Sequence, residues 1–374
     1  MTKAKFYIGL MSGTSADGID LALVDFTSGN AELIASYYQA YDNATRQKIT
    51  DLYQPNNNEI DKAFSLDKTL AHQFSIAIKE LLRQESLLPE DVIAIGNHGQ
   101  TIRHRPTANA YIQAPFTLQI GCNQTLAVLT GIRVIGDFRT KDIALGGQGA
   151  PLVPAFHQYL LPPAHSDTFL VNIGGIANIT FLPKMDSTKS VLGYDTGPGN
   201  ALIDAWCFEN SGNRFDNNGD WGGSGTINQT LLIQLLSDNY FSLSAPKSTG
   251  REYFTLKWLK YFIEPFNIPP EDVQATLTAL TACSISKEIR KISDSADVYL
   301  CGGGIENKFC YKLIKQQLND FNVNKIHSLN LNNNALEAMA FAWLAFAYDK
   351  RIYGNIPAVT GASKSTVLGC EFLS

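Results

Sequence analysis

The sequence predicts a duplicated α/β fold with two related domains. Three short glycine-containing turns support this prediction: the first, second and third glycine loops, Ser12–Gly18, Gly174–Gly175 and Gly302–Gly304. Each of the first two separates a pair of apolar runs typical of a β-hairpin. The third follows a buried-strand pattern, and Asn97–Thr101 follows a similar pattern in the first half of the chain. This order, repeated in both halves, is what a duplicated fold leaves in a sequence.

Length and composition narrow the class of protein. With 374 residues the chain is too long for one ordinary core, and 45% hydrophobic with 17% charged residues describes a globular protein. The net charge of −5 does not favour nucleic-acid binding, which normally needs a basic face. The six cysteines form no CxxC pair, so reduced thiols in a cytoplasmic protein are favoured over a zinc site or disulfides. No apolar run is long enough to predict a membrane partner.

The elements of the first half follow in order. After the opening hairpin, helical periodicity covers residues 61–84, with apolar side chains at the spacing of a buried stripe. A buried strand at 92–96 runs into Asn97–Thr101, and another strand pattern covers 133–137. Residues 137–149 then read as the domain junction.

The second half repeats the pattern. A hairpin over 169–182 is followed by a strand at 192–195, a helix from 201 to 208 and helices near 226–238 and 271–292. A buried strand at 298–301 enters the third glycine loop, and an apolar helix covers 335–348. We predict a first domain of residues 1–138 completed by about 352–374, and a second domain of residues 139–351.

The glycine loops suit a polyphosphate, because a backbone without Cβ atoms brings N–H groups close to an anion. The first loop adds the hydroxyls of Thr14 and Ser15, and Asp17 as a candidate in the shell of a magnesium ion. Each loop also has a simpler interpretation that involves no ligand. Asp17-Gly18 is a good hairpin turn, the second loop fits a tight turn or bulge, and the third fits a flexible corner. Three such loops in this order favour a nucleotide.

Several polar residues are candidates for chemistry. Asp195 lies beside a Gly-Pro-Gly turn before a helix, which suits a general base, although a capping aspartate fits the spacing as well. His98 is a candidate ligand contact, with a loop histidine satisfied by the protein as the alternative. Arg139 and Lys141 suit an anionic group, with a solvated charge cluster as the alternative. Glu337 interrupts an apolar helix, where a carboxylate needs a partner or a water-lined cleft.

Read together, these motifs resemble the anhydro-N-acetylmuramic acid kinase family. The most specific are Gly-Gly-Gln-Gly-Ala-Pro-Leu-Val-Pro and Asp-Thr-Gly-Pro-Gly-Asn. Two departures from the family pattern are Thr140, which interrupts a basic run, and Ala16, which replaces a bulkier apolar residue. The matching segments span the chain: Met11–Asp20, His98–Thr101, Leu145–His157, Asn172–Asn178, Asp195–Asn200, Pro246–Glu252, Cys301–Gly304, Glu337–Trp343 and Val359–Ala362.

The resemblance implies an actin-like ATPase fold, ribonuclease H-like in each half, with two related domains around a nucleotide cleft. It implies that ATP and Mg²⁺ are used to phosphorylate O6 of 1,6-anhydro-N-acetylmuramic acid while water opens the anhydro ring. The products are N-acetylmuramic acid 6-phosphate and ADP, in peptidoglycan (murein) recycling. The resemblance also suggests a homodimer. Alternatives on the same fold are an actin- or heat-shock-type ATPase and a catalytically silent sugar sensor. The polar motifs disfavour the first, and intact Asp17 and Asp195 disfavour the second.

The resemblance also implies roles for individual residues. Asp195 is the expected catalytic base and Glu337 the expected support of the metal or phosphate site, with Asp17 as the metal residue. The expected sugar-binding residues are His98, Gln100, Arg139, Lys141, Gly197 and Asn200. The expected nucleotide-binding residues are Gly13, Thr14, Ser15, Ala16, Asp17, Gly18, Ile19, Asp20, Gly174, Gly175, Gly302, Gly303 and Gly304.

Overall fold

The chain divides into two compact units in a computed structural model. An N-terminal unit comprises Met1–Pro162 and Asn334–Ser374, and a central unit comprises Pro163–Asn333. The structure describes residues 5–55, 57–108, 112–161, 163–245, 247–250, 253–264, 266–329, 331–333 and 335–374. None of the helices in these ranges combines the length and apolar character needed to cross a membrane.

The described strands, in chain order, are β1 Phe6–Ser12, β2 Gly18–Asp25, β3 Glu32–Ala40, β4 Val92–Arg105, β5 Phe116–Ile120, β6 Val134–Gly136, β7 Thr168–Ile173, β8 Ile176–Leu182, β9 Leu192–Pro198, β10 Asp297–Cys301, β11 Asn322–Lys325 and β12 Cys370–Phe372. The described α-helices are α1 Asn43–Asp51, α2 Glu59–Gln84, α3 Asn123–Thr130, α4 Thr140–Ala144, α5 Val153–Leu160, α6 Ala201–Ser211, α7 Asp220–Ser224, α8 Gln229–Leu235, α9 Asn239–Ser242, α10 Leu256–Ile263, α11 Pro270–Ile292, α12 Lys308–Gln317, α13 Leu336–Lys350 and α14 Pro357–Thr360.

The sheet of the N-terminal unit has the strand order β12-β6-β4-β1-β2-β3, and β5 pairs with β4. Strands β1, β2 and β3 are antiparallel neighbours, whereas β4 is parallel to β1 and to β6. The central strand β1 is buried along almost its whole length, which explains its continuous apolar run. Strand β3 alternates between exposed and partly buried residues, as a sheet edge requires.

The sheet of the central unit has the order β11-β10-β7-β8-β9. Strands β7, β8 and β9 are antiparallel neighbours, and β10 is parallel to β7 and to β11. In each unit a three-stranded meander is therefore followed by two parallel strands added beside its first strand. This shared order and direction confirm the predicted duplicated α/β fold class.

The last long helix belongs to the N-terminal unit. Helix α13 packs on β1, β2 and β4. At Gly9 a Cβ atom would lie 1.7 Å from the Ala338 carbonyl oxygen, and at Gly96 it would lie 1.9 Å from the Phe341 carbonyl oxygen. The helix backbone thus lies directly on the sheet at two glycines, an approach that any larger residue prevents. The compact units therefore place this junction at 333/334, not at the predicted 351/352.

The other junction also differs from the predicted 138/139, because residues 139–161 pack within the N-terminal unit. Helix α5 contacts α13, and the buried Asp142 of α4 accepts hydrogen bonds from Asn355 Nδ2 at 2.7 Å and Thr360 Oγ1 at 2.8 Å. These bonds join the segment to the C-terminal part of the chain. No composition signal in the sequence marks such long-range pairing.

Strand β4 is longer than predicted. The sequence indicated a strand ending at Gly96 and a glycine-containing turn over Asn97–Thr101. Instead the strand continues to Arg105, because β5 pairs antiparallel with its second half. Gly99 has φ +74°, a conformation that favours glycine, and lies within this continuous strand.

Candidate functional site

The first glycine loop connects β1 to β2 and is held by backbone hydrogen bonds. The Ala16 amide donates to the Gly13 carbonyl at 3.0 Å, and the Tyr41 amide donates to the Asp17 carbonyl at 3.0 Å. Ala16 is buried and has φ +52°, where a larger side chain adds strain and volume. The alanine therefore fits this tight turn.

Side chains from elsewhere in the N-terminal unit fix the same loop. Ser12 Oγ donates to Gln100 Oε1 at 2.6 Å, and Gln100 Nε2 donates to the Gly13 carbonyl at 3.1 Å. The hydroxyl of Tyr53 donates to the Thr14 carbonyl at 2.8 Å. The parallel pairing of β1 with β4 places Ser12 opposite Gln100. Gln100, predicted to contact the sugar, is thus a buried support of the loop, and no motif in the sequence indicated the role of Tyr53.

Acidic side chains gather beside this loop. Burial, together with the smaller effects of the Glu337 and Asp17 charges, raises the pKa of Asp20 from its ordinary 3.8 to about 7. Asp17 forms an ion pair with Arg46 at 3.4 Å, with both side chains about half exposed. Carboxylates that repel one another at a partly buried position suit a cation. Within the described ranges, no three His, Cys, Asp or Glu side chains are arranged closely enough to enclose a metal directly.

Glu337 lies in the first turn of α13 and is exposed, rather than surrounded by the apolar residues of its helix. Its charge favours the protonated form of Asp20 and also the charged form of Arg139. The structure therefore brings Glu337, Asp20 and Arg139 within electrostatic reach of one another. The sequence predicted each of them separately.

The buried His98 and the partly buried Arg139 form a pair. Arg139 Nε and Nη2 lie 3.1 Å and 2.9 Å from His98 Nε2, and Arg139 Nη1 donates to the Gly149 carbonyl at 2.7 Å. His98 Nε2 must accept, so Nδ1 carries the proton and donates to the Gly99 carbonyl at 2.7 Å. Burial, and then the charge of Arg139, lower the pKa of His98 to about 3. His98 is therefore a neutral histidine that orients the guanidinium.

Lys141 makes a different contact from Arg139. Its side chain is exposed, and Nζ donates to the Val367 carbonyl at 2.8 Å. Burial lowers the pKa of Arg139 to about 10, a value at which it stays charged at neutral pH. Of the two cations named from the sequence, Arg139 is the one within electrostatic reach of the acidic group.

In the central unit, the second glycine loop is joined to the start of α6. The Asn200 amide donates to the Gly174 carbonyl at 2.8 Å, and the Gly199 amide donates to the Gly175 carbonyl at 3.0 Å. Asn200 Nδ2 also donates to the Ile173 carbonyl at 3.2 Å. A Cβ at Gly199 would lie 2.2 Å from the Gly174 oxygen, so only glycine allows this approach. Asn200, predicted to contact the sugar, supports the second loop.

The third glycine loop lies against the same strand end. A Cβ at Gly302 would lie 2.2 Å from Asn172 Oδ1, whereas a Cβ at Gly303 would meet no atom within 4 Å. Asn333 Oδ1 accepts from the Gly302 amide at 2.5 Å, and its Nδ2 donates to the Gly302 carbonyl at 3.2 Å. The second and third loops are therefore neighbours, with open space at Gly303. Sequence reasoning missed Asn333, which sits in a polar asparagine run without a recognisable motif.

Asp195 lies within β9 and is partly buried. Burial raises its pKa from 3.8 to about 6, and a hydrogen bond from the Thr249 amide to Oδ2 at 3.0 Å acts in the opposite direction. Its own amide donates to the Lys247 carbonyl at 3.1 Å, and the Tyr240 hydroxyl donates to its carbonyl at 2.8 Å. Such a carboxylate is ionised near neutral pH and holds a proton more readily than an exposed one, which suits a general base.

Gly197 has a packing role in this structure. It has φ +155°, and a Cβ there would lie 2.8 Å from Phe241 Cε1. Of the predicted loop motif 246–252, residues 247–250 lie beside Asp195, while Pro246, Arg251 and Glu252 lie outside the described residues.

Comparison with known proteins identifies the family of this chain. The family model described as anhydro-N-acetylmuramic acid kinase matches residues 5–374. The chain belongs to this family. A relative named anhydro-N-acetylmuramic acid kinase from Colwellia psychrerythraea is 55% identical over 393 residues, covering 100% of this chain and 98% of the relative. Relatives of that name from Shewanella baltica and Saccharophagus degradans are 46% and 47% identical, over 99% and 98% of both chains.

The predicted resemblance is thereby confirmed over nearly the whole chain. Membership of the anhydro-N-acetylmuramic acid kinase family explains why Asp195 and the three glycine loops occur in one sequence. The structure adds the local supports that hold them, which the motifs alone did not reveal.

Proposed function

We propose that this protein is an ATP-dependent anhydro-N-acetylmuramic acid kinase. It opens the 1,6-anhydro ring of the sugar with water, transfers the γ-phosphoryl group of ATP to O6, and releases N-acetylmuramic acid 6-phosphate and ADP. The family match across residues 5–374 is the observation that carries this proposal. The protein would act in the cytoplasm, in peptidoglycan recycling, on a small-molecule substrate and as a homodimer.

Asp195 is the proposed general base. Water is a poor nucleophile toward the acetal carbon C1, so a carboxylate must accept its proton during the attack. A pKa of about 6 leaves Asp195 largely ionised at neutral pH. The bond from water oxygen to C1 forms as the C1–O6 bond breaks, and O6 forms its new bond to the γ-phosphorus while ADP leaves. One carboxylate suffices because the phosphoryl group takes the place of a proton on the departing oxygen.

The three glycine loops are the proposed nucleotide contacts, and Asp17, Asp20 and Glu337 the proposed supports of hydrated Mg²⁺. A divalent cation neutralises the charge that develops on the transferring phosphoryl group. The raised pKa of Asp20 supports this assignment, since a nearby cation relieves the repulsion that burial and the two neighbouring carboxylates create.

Arg139 is the proposed partner of the sugar's lactyl carboxylate. Arginine recognises carboxylates through paired N–H donors, and Arg139 stays charged beside the neutral His98 and within reach of the Glu337 and Asp142 carboxylates. His98, Gln100, Gly197 and Asn200 would then act mainly by holding the groups that contact the ligands. Lys141 is the weaker candidate because its ammonium group is bonded to the Val367 carbonyl.

The fate of water oxygen tests the reaction. In H₂¹⁸O with ATP, Mg²⁺ and the anhydro sugar, ³¹P NMR should show a sugar 6-phosphate whose phosphorus carries no ¹⁸O shift. The phosphoryl group comes from ATP and its bridging oxygen from the sugar, so neither derives from water. Inorganic phosphate bearing ¹⁸O as the main product would instead establish a simple ATPase and overturn the proposal.

A further inference from the structure

A buried ion pair between Lys247 and Glu288 lies close to the proposed base, Asp195. Lys247 Nζ is 2.9 Å from Glu288 Oε1, with the two side chains only 2% and 5% exposed. Glu288 of α11 also accepts from the Tyr194 hydroxyl at 3.1 Å and from Lys291 Nζ at 2.8 Å. Burying such a pair costs desolvation that its attraction rarely exceeds, so stability alone is a poor reason for it.

Both the backbone and the side chain of Lys247 contact groups that lie close to Asp195. Its backbone carbonyl accepts from the Asp195 amide at 3.1 Å. Its ammonium lies 3.4 Å from the Tyr240 carbonyl and 5.0 Å from the centre of the Tyr240 ring. The hydroxyl of that tyrosine donates to the Asp195 carbonyl at 2.8 Å, and two residues after the lysine the Thr249 amide donates to Asp195 Oδ2.

We propose that Lys247 and Glu288 are positioning residues for Asp195. Their ion pair anchors the segment Lys247–Gly250 to α11, which keeps the Thr249 amide on Oδ2 and so fixes the carboxylate with Oδ1 left for water. The proposal rests on Asp195 being the base. Among the titratable groups nearby, Tyr240 interacts electrostatically with Asp195, whereas Tyr194, Lys247 and Lys291 contact Glu288.

The first test removes the hydrogen bond itself. Thr249→Pro lacks the amide proton, whereas Thr249→Ala keeps it and loses only a buried hydroxyl that has no partner among the described residues. Because the amide bond lowers the pKa of Asp195, Thr249→Pro should move the acidic limb of the kcat–pH profile to higher pH. Thr249→Ala should leave that limb in place. The Asp195 carboxyl pKa from ¹³C NMR should shift in the same direction in Thr249→Pro.

The second test removes the ion pair without leaving one charge buried. In the double variant Lys247→Met/Glu288→Gln, the glutamine can still accept from Tyr194. We expect kcat to fall about tenfold or more, since small misplacement of a reacting group costs that much. The KM for ATP should stay within about twofold, and thermal unfolding should stay cooperative. Lys291→Met is the matched control, because it removes the half-exposed cation from the same glutamate and leaves Lys247 in place.

An unchanged kcat and acidic limb in both Thr249→Pro and the double variant would overturn the positioning role. If the double variant does not fold, Thr249→Pro and Thr249→Ala still test the contact through which the ion pair is proposed to act. An acidic limb that is the same in both would overturn the proposal, because the Thr249 amide would then not fix the carboxylate. Failure of the proposed function is distinguishable, because wild type would then not phosphorylate the anhydro sugar at all. Failure of the base role is also distinguishable, because Asp195→Asn would then turn over the sugar as well as wild type does.

Discussion

Replacing Asp20 with asparagine should stabilise the protein at alkaline pH. Burial, together with the charges of Glu337 and Asp17, raises the pKa of Asp20 from 3.8 to about 7. The folded state therefore prefers the protonated carboxyl. The contribution of Asp20 to the free energy of unfolding is fully present below the unfolded pKa near 3.8, and it is lost as the pH rises through the folded pKa of about 7. Asparagine keeps the shape of the side chain and stays neutral throughout this pH range.

The size of the stability difference follows from the pKa shift of Asp20. Each pKa unit corresponds to about 1.4 kcal/mol, so the ceiling for Asp20 is about 4 kcal/mol. Solvent and counterions near a partly exposed carboxylate reduce this value to about 1–3 kcal/mol. The stability advantage of Asp20→Asn over wild type should therefore grow from pH 5 to pH 7 and level off above pH 8. Millimolar Mg²⁺ should reduce this difference in unfolding free energy, because the ion should stabilise the wild type.

Urea unfolding of both proteins from pH 5 to pH 8 measures this difference directly. Asp25 on the same strand is the matched control with the opposite sign. Burial raises its pKa, but hydrogen bonds from Thr27 and Lys5 outweigh burial and lower it overall. Its stability contribution is present above the unfolded pKa and lost as the pH falls through the folded pKa, so Asp25→Asn should destabilise the protein at neutral pH. A constant difference between Asp20→Asn and wild type across pH 5–8 would refute the argument.

Two further predictions concern packing and electrostatics. Gly96→Ala places a methyl group 1.9 Å from the Phe341 carbonyl oxygen and should cost about 3 kcal/mol or more, measured by urea unfolding. Gly223→Ala is its control, since that Cβ meets its nearest atom at 3.8 Å; an equal loss there would contradict the argument. Arg139→Met should raise the pKa of His98, whose charged form the guanidinium disfavours, in an NMR titration of the imidazole. An unchanged or lower pKa would show that burial alone sets it.

Local patterns predicted most of the fold and the chemical groups of the site. Alternating or continuous apolar runs identified both hairpins and the long helices α2 and α11, because hydrophobic periodicity depends only on neighbouring residues. The order of the motifs predicted the duplication, and Asp195 was named from its turn alone.

The sequence failed where distant residues decide the structure. Strand β4 runs on past Gly96 because β5 pairs with it, and α13 joins the N-terminal unit because Gly9 and Gly96 admit its backbone. The supports of the loops, such as Tyr53 and Asn333, come from segments without motifs. Long-range pairing of this kind leaves no periodic signal in a single sequence.

The dependence of ADP release on the anhydro sugar tests the central claim most directly. Wild type and Asp195→Asn are each assayed with ATP and Mg²⁺, with and without 1,6-anhydro-N-acetylmuramic acid. We predict rapid ADP release only from wild type with the sugar, because Asp195 accepts the proton of the attacking water and the sugar accepts the phosphoryl group. Equal ADP release in all four reactions would contradict both the kinase activity and the role of Asp195.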